Sequence, residues 1–137
     1  MNKHNSFFPV FLITIFVDQA TKFLATILGF QITYNTGISF STFAASDPKF
    51  LTFVLGLAMY LLFNYFKSFW KENGLAAGLF FGGAVANIFD RLLFDAVRDW
   101  IAIPFSNIHN NLADWAIFVG LFLFLFSFVS QKTAKKQ

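Results

Sequence analysis

Four apolar segments, at about 7–28, 48–66, 74–94 and 112–130, limit what this chain can fold into more than any other feature. Each is roughly 19–22 residues long, close to what an α-helix needs to cross the hydrocarbon core of a bilayer. Backbone polar groups in lipid must be satisfied within the segment, which selects helices. Composition agrees: of 137 residues, 57% are hydrophobic and 12% charged, more apolar surface than a soluble domain of this size can hide. The expected fold is an all-α integral membrane protein, a single domain over residues 1–137. It has four transmembrane helices and a small extracytoplasmic loop or β element. Asp47-Pro48 supplies a cap and a Pro at the first helical position. Asn73-Gly74 separates the second segment from the third.

The first segment has the outline of a secretory signal, with Lys3 before an apolar run. Asp18-Gln19 and Lys22 follow it without a small-x-small cleavage site, so a retained helix is expected. If all four segments cross, Lys3, Lys67, Lys71, Lys132, Lys135 and Lys136 share one side. Lys22, Lys49, Arg91 and Arg98 lie toward the other. Basic residues favour the cytoplasm, which predicts that both termini are cytoplasmic. The acids are more lopsided: Glu72 alone lies inside, whereas Asp18, Asp47, Asp90, Asp95, Asp99 and Asp114 lie outward. Acids contribute little to orientation. An active site at the outer face would account for them.

Asp99 and Asp114 sit fifteen residues apart, each at the edge of a strongly apolar segment. An acid at membrane depth is costly and marks a functional site by default. Two carboxylates held close cannot both ionise cheaply, so they share a proton and suit acid–base chemistry. Which one holds the proton is a property of the pair. In the third segment Gly74, Gly78, Gly82, Ala86 and Asp90 recur every four residues, and Gly83, Asn87 and Arg91 form the adjoining row. Residues so spaced share a helix face, and small ones let another helix approach. The polar end of that face, Asn87, Asp90 and Arg91, reads as a site. By themselves, Asp18 and Lys22 read as an ion pair at i, i+4. Asn35-Thr36-Gly37 reads as a turn, with a short strand at Ile38-Ser39-Phe40.

The absence of Cys excludes disulfides, thiolate nucleophiles and Cys-ligated metals. His4 and His109 are too far apart in sequence for a His-based site, so neither metal nor cofactor is expected. The Lys residues form no basic stripe, and no nucleic-acid partner is expected. Asp95 reads as a solvated loop acid, His109 as exposed near the mouth of the site, and Asn64 as bonding within the bundle. An ion or proton transporter would also carry Asp, Lys and Arg in its helices, but near the midplane. A membrane assembly factor would need no paired Asp.

Taken together, these pieces resemble the lipoprotein signal peptidase (signal peptidase II) family. Asp18-Gln19-Ala20-Thr21-Lys22 is similar to its DQxxK motif, and Asn35-Thr36-Gly37-Ile38-Ser39-Phe40 to NxGxxF. The run from Gly82 and Gly83 through Asn87 to Asp90 and Arg91 resembles GGAxGNxxDR. Val97-Arg98-Asp99-Trp100 and Asn111-Leu112-Ala113-Asp114 resemble VxDF and FNxAD. The resemblance implies an intramembrane aspartyl endopeptidase of the bacterial inner membrane, with its active site at the outer face. It would act as a monomer among membrane lipids on diacylglyceryl-modified prolipoproteins, cutting before the lipidated cysteine. The catalytic pair would be Asp99 and Asp114. Binding and support would fall to Asp18, Lys22, Asn35, Gly37, Asn87, Asp90, Arg91 and Asn111. The chain departs from the family at Ala86 (Gly), Trp100 (Phe), Ser39 (Ala) and Asn110 (aromatic or aliphatic), and in a short loop between the two Asp.

Overall fold

The computed structural model describes residues 6–37 and 47–134. The strand expected at Ile38-Ser39-Phe40 lies outside them, as do Lys3, His4, Lys135, Lys136 and the side chain of Lys132. The elements are α1 (Phe7–Ile27), β1 (Thr33–Asn35), α2 (Pro48–Tyr65), α3 (Lys67–Glu72), α4 (Gly74–Phe94), β2 (Val97–Asp99), β3 (Ile101–Ala102), β4 (His109–Asn110) and α5 (Leu112–Ala134).

The protein is mostly helical. Phe7–Ile27, Gly74–Phe94 and Leu112–Gln131 are long and apolar enough to cross a membrane, and Lys49–Tyr65 is a shorter apolar helix. Asp47 caps α2 as its sequence predicts, its Oδ1 accepting from Lys49 N at 2.9 Å. The second segment stops at Tyr65. After Phe66 the chain restarts as the short helix α3, which the apolar pattern did not predict.

Helix α4 packs along both α1 and α5. Its glycine rows make that possible. A Cβ on Gly82 would stand 2.9 Å from the Phe11 carbonyl oxygen of α1, and one on Gly83 would stand 2.5 Å from the Ala113 oxygen of α5. The backbones therefore touch where only hydrogen side chains fit. One end of the bundle is closed by rings: Trp70 and Phe81 are buried among Phe7, Phe11, Phe63, Phe66, Phe80 and Phe124. Elsewhere the pattern inverts that of a soluble protein. The largest fully buried side chains are Lys22, Asn111, Asp18, Asp90 and Asp99, while Phe16 and Phe126 face outward.

The β element is two short antiparallel pairs. β1 pairs with β2 in the register Thr33↔Asp99, Tyr34↔Arg98, Asn35↔Val97. β3 pairs with β4 as Ile101↔Asn110 and Ala102↔His109. Trp100 joins them, donating its main-chain N–H to the Asn110 carbonyl at 3.1 Å. Strands β2, β3 and β4 carry the chain from the end of α4 to the start of α5, and β1 joins them from the segment after α1.

Candidate active site

Asn111 caps α5. Its side-chain oxygen accepts from Asp114 N at 3.0 Å, and Asp114 Oδ2 accepts from Asn111 N at 3.3 Å. That is a capping box, with an acid at the third helical position reaching back to the cap. Asp18 accepts from Ala113 N at 2.8 Å and satisfies another free N–H of the first turn. The helix N-terminus favours negative charge beside it. Asp114 Oδ1 accepts from Asn87 Nδ2 at 2.8 Å.

Asp99 ends β2, and each of its oxygens accepts one amide N–H: Oδ1 from Asn111 Nδ2 at 2.6 Å, Oδ2 from Asn35 Nδ2 at 3.1 Å. Asn35 is itself held by a local turn, its Oδ1 accepting from Gly37 N at 3.0 Å. Asp99 is 1% exposed. Burial pushes its carboxyl up to about 6; the amides of Asn111 and Asn35 oppose the rise, and the charge of Asp114 adds to it.

Behind the two acids lies a buried ionic cluster. Lys22 Nζ is 2.7 Å from Asp18, 3.1 Å from Asp90, and donates to Asn87 Oδ1 at 3.1 Å. Asn87 thus takes a hydrogen bond from a cation at one end and gives one to Asp114 at the other. Arg91 donates to the Gly37 carbonyl at 2.7 Å and to the Asn87 carbonyl at 3.4 Å. Its buried Nε has no partner among the described residues.

All ten residues singled out in the sequence come together here: Asp18, Lys22, Asn35, Gly37, Asn87, Asp90, Arg91, Asp99, Asn111 and Asp114. Two that it did not single out join them. Arg98 binds Asp90 through its main-chain N (3.0 Å), Nε (3.3 Å) and a terminal nitrogen (2.8 Å). Gln19 donates to Asp90 at 2.9 Å and accepts from Arg98 at 2.9 Å. Both stand inside the quoted motifs, and that was the available signal for them. Asp95 is exposed, as expected, and ends α4 in a left-handed conformation. His109, expected to be exposed, is half-buried in the cavity wall because β4 turns it inward. Asn64 bonds one turn back, to the Tyr60 carbonyl at 2.8 Å.

A cavity of about 650 Å³ opens onto both acids. Asn35, Asn87, Arg91, Asp99 and Asp114 line its polar end. Leu55 and Met59 of α2, Phe80, Ala84 and Ile88 of α4, and Ile117, Phe118 and Leu121 of α5 line the rest. Among the described residues, no three of His, Cys, Asp and Glu gather as metal ligands. The arrangement can hold an apolar chain with a peptide bond at two carboxyl groups.

The family model for Signal peptidase (SPase) II matches residues 10–130. The chain belongs to the signal peptidase II family. This family member is 32% identical to the lipoprotein signal peptidase of Thermodesulfovibrio yellowstonii, over 85% of this chain and 89% of that one. It is 30% identical to that of Pelotomaculum thermopropionicum (95% and 97%) and 29% identical to that of Helicobacter pylori (94% and 91%). Its fold is similar to that of a bacterial membrane enzyme solved by the in meso method at 2.3 Å. The TM-score is 0.79 at 20% identity, covering 98% of this chain and 96% of that one. This signal peptidase II is an aspartic peptidase and a multi-pass membrane protein.

Proposed function

We propose that Asp99 and Asp114 are the catalytic pair of this enzyme, with Asp99 carrying the shared proton. The activity itself follows from the family: the chain is a lipoprotein signal peptidase, removing signal peptides from prolipoproteins. The observation that carries the assignment is Asn111, whose one side chain bonds Asp99 and the main chain of Asp114 at the head of an apolar cavity.

Asp114, at a helix N-terminus and bonded through Asn87 to Lys22, acts as the carboxylate. It takes a proton from water, and the water oxygen attacks the scissile carbonyl carbon. Asp99 gives its proton to the carbonyl oxygen, producing a gem-diol. On collapse, a hydroxyl proton returns to Asp99, the C–N bond breaks, and Asp114 protonates the leaving amine. Asp99 can carry its proton because, among the described residues, each of its oxygens accepts one amide N–H and keeps a lone pair.

Asn35, Gly37 and Arg91 bind and shape the polar end of the cavity, and Asp18, Lys22, Asn87, Asp90 and Asn111 support the pair. The substrate is the diacylglyceryl-modified prolipoprotein, cut before the lipidated cysteine, with apolar chain buried along Leu55, Met59, Ile117 and Phe118. The chain forms one domain of four spans, α2 being the fourth. The excess of Lys at the termini and at Lys67 and Lys71 supports cytoplasmic ends and a site at the outer face. Purified monomer in EDTA should process a lipid-modified prolipoprotein and leave the unlipidated precursor intact. Cleavage of both alike would remove the lipid from the account.

A further inference from the structure

We infer that Arg98 is a positioning residue for this reaction: by clamping and neutralising Asp90 it fixes the strand that delivers Asp99 and leaves Lys22 to hold Asn87 against Asp114. The inference rests on the catalytic assignment of Asp99 and Asp114.

Arg98 is buried, and neither it nor its side-chain partners Asp90 and Gln19 line the cavity. Its guanidinium grips both oxygens of Asp90, 2.8 Å and 3.3 Å away, and also donates to Gln19 Oε1. Its charge lies 4.3 Å from the centre of the Phe94 ring. These contacts tie β2 to α4 and to α1 at the residue next to Asp99. A rigid strand there matters, because a misplacement of about 1 Å at a reacting group costs on the order of a hundredfold in rate.

Charge gives a second effect. Ion pairs join two acids, Asp18 and Asp90, to two bases, Lys22 and Arg98, all buried, while Arg91 donates to the Gly37 and Asn87 carbonyls instead. With Arg98 present the cluster balances. Without it, Lys22 faces two buried carboxylates alone, and an uncompensated negative charge stands behind the catalytic pair. Such a charge disfavours ionisation nearby. The other groups facing Asp99 are Asn35 from β1, Asn111 and Asp114 at the start of α5, Arg91 from α4, and His109 of β4 in the same cavity wall.

Arg98→Lys and Arg98→Met separate geometry from charge. Each is purified, checked for folding by thermal melting, and assayed for prolipoprotein processing across pH. Arg98→Lys keeps the charge but not the two-pronged grip. Its kcat should fall on the order of tenfold to a hundredfold, with KM within about twofold of wild type and an unshifted pH profile. Arg98→Met should lose as much kcat and move the alkaline limb to higher pH. The inference is overturned if both variants keep kcat within about threefold of wild type. It is also overturned if activity falls only in proportion to folded protein. Should Arg98→Met not fold, the kcat and KM of Arg98→Lys decide. Inactive wild type, or active Asp99→Asn, would instead count against the catalytic assignment.

Discussion

Asn111 Nδ2 lies 2.6 Å from Asp99 Oδ1, the shortest link between the strand that carries one acid and the helix that carries the other. The same side chain caps α5 through Asp114 N. One residue therefore sets the helix start and the spacing of the pair.

Replacing Asn111 by Ala removes both roles. The lost cap should cost about 1 kcal/mol of stability, seen as a lower melting temperature. Processing should fall much further, on the order of a hundredfold, because Asp99 and Asp114 lose their common partner. Melting and kcat measured on one preparation separate the two. A kcat loss no larger than the stability loss explains would make Asn111 a cap only.

The elevated carboxyl of Asp99 gives the reaction a pH signature. As the proposed proton donor, Asp99 must be protonated, so activity should be present below its pKa and lost as pH rises through it. The rate constant kcat/KM reports the free enzyme and should show an alkaline limb near 6. A kcat/KM that instead rises through this range to a plateau would make Asp99 the base and Asp114 the acid.

The approach of α5 to α4 can be tested at Gly83. An added methyl would meet the Ala113 carbonyl at 2.5 Å, one residue before Asp114. Gly83→Ala should lose about 1–3 kcal/mol and slow processing, as Asp114 moves away from Asn87. Gly56→Ala, with nothing within 4 Å of the new methyl, should melt and process like wild type. Equal behaviour of the two variants would mean that the helices adjust freely.

The sequence made the helices and most of the site legible, for physical reasons. Apolar length fixes spans, and small residues four apart fix the packing face of α4. Asp, Lys and Arg have no cheap place in lipid, so their positions mark the site directly. The capping box at Asn111-Leu112-Ala113-Asp114 was missed, although a cap residue followed three positions later by an acid is a local signal. Pairings across long separations were not legible. The β1–β2 register brings Asn35 to Asp99, and no local pattern of three residues predicts it. Arg98 read as one more outward basic residue, because only the fold sets it against Asp90 and Gln19. Helix α3 was missed because Lys67, Ser68, Lys71 and Glu72 read as a polar loop, and Trp70 becomes buried only once the surrounding rings assemble.

In the proposed mechanism Asp99 and Asp114 together move the protons of peptide hydrolysis. Asp99→Asn and Asp114→Asn keep the shape of each side chain and remove its proton chemistry, while Asp95→Asn alters an exposed acid outside the site. Processing of a lipid-modified prolipoprotein should be abolished in each of the first two, with folded, membrane-inserted protein retained, and nearly unchanged in the third. Cleavage at a wild-type rate by either Asp99→Asn or Asp114→Asn would contradict the account.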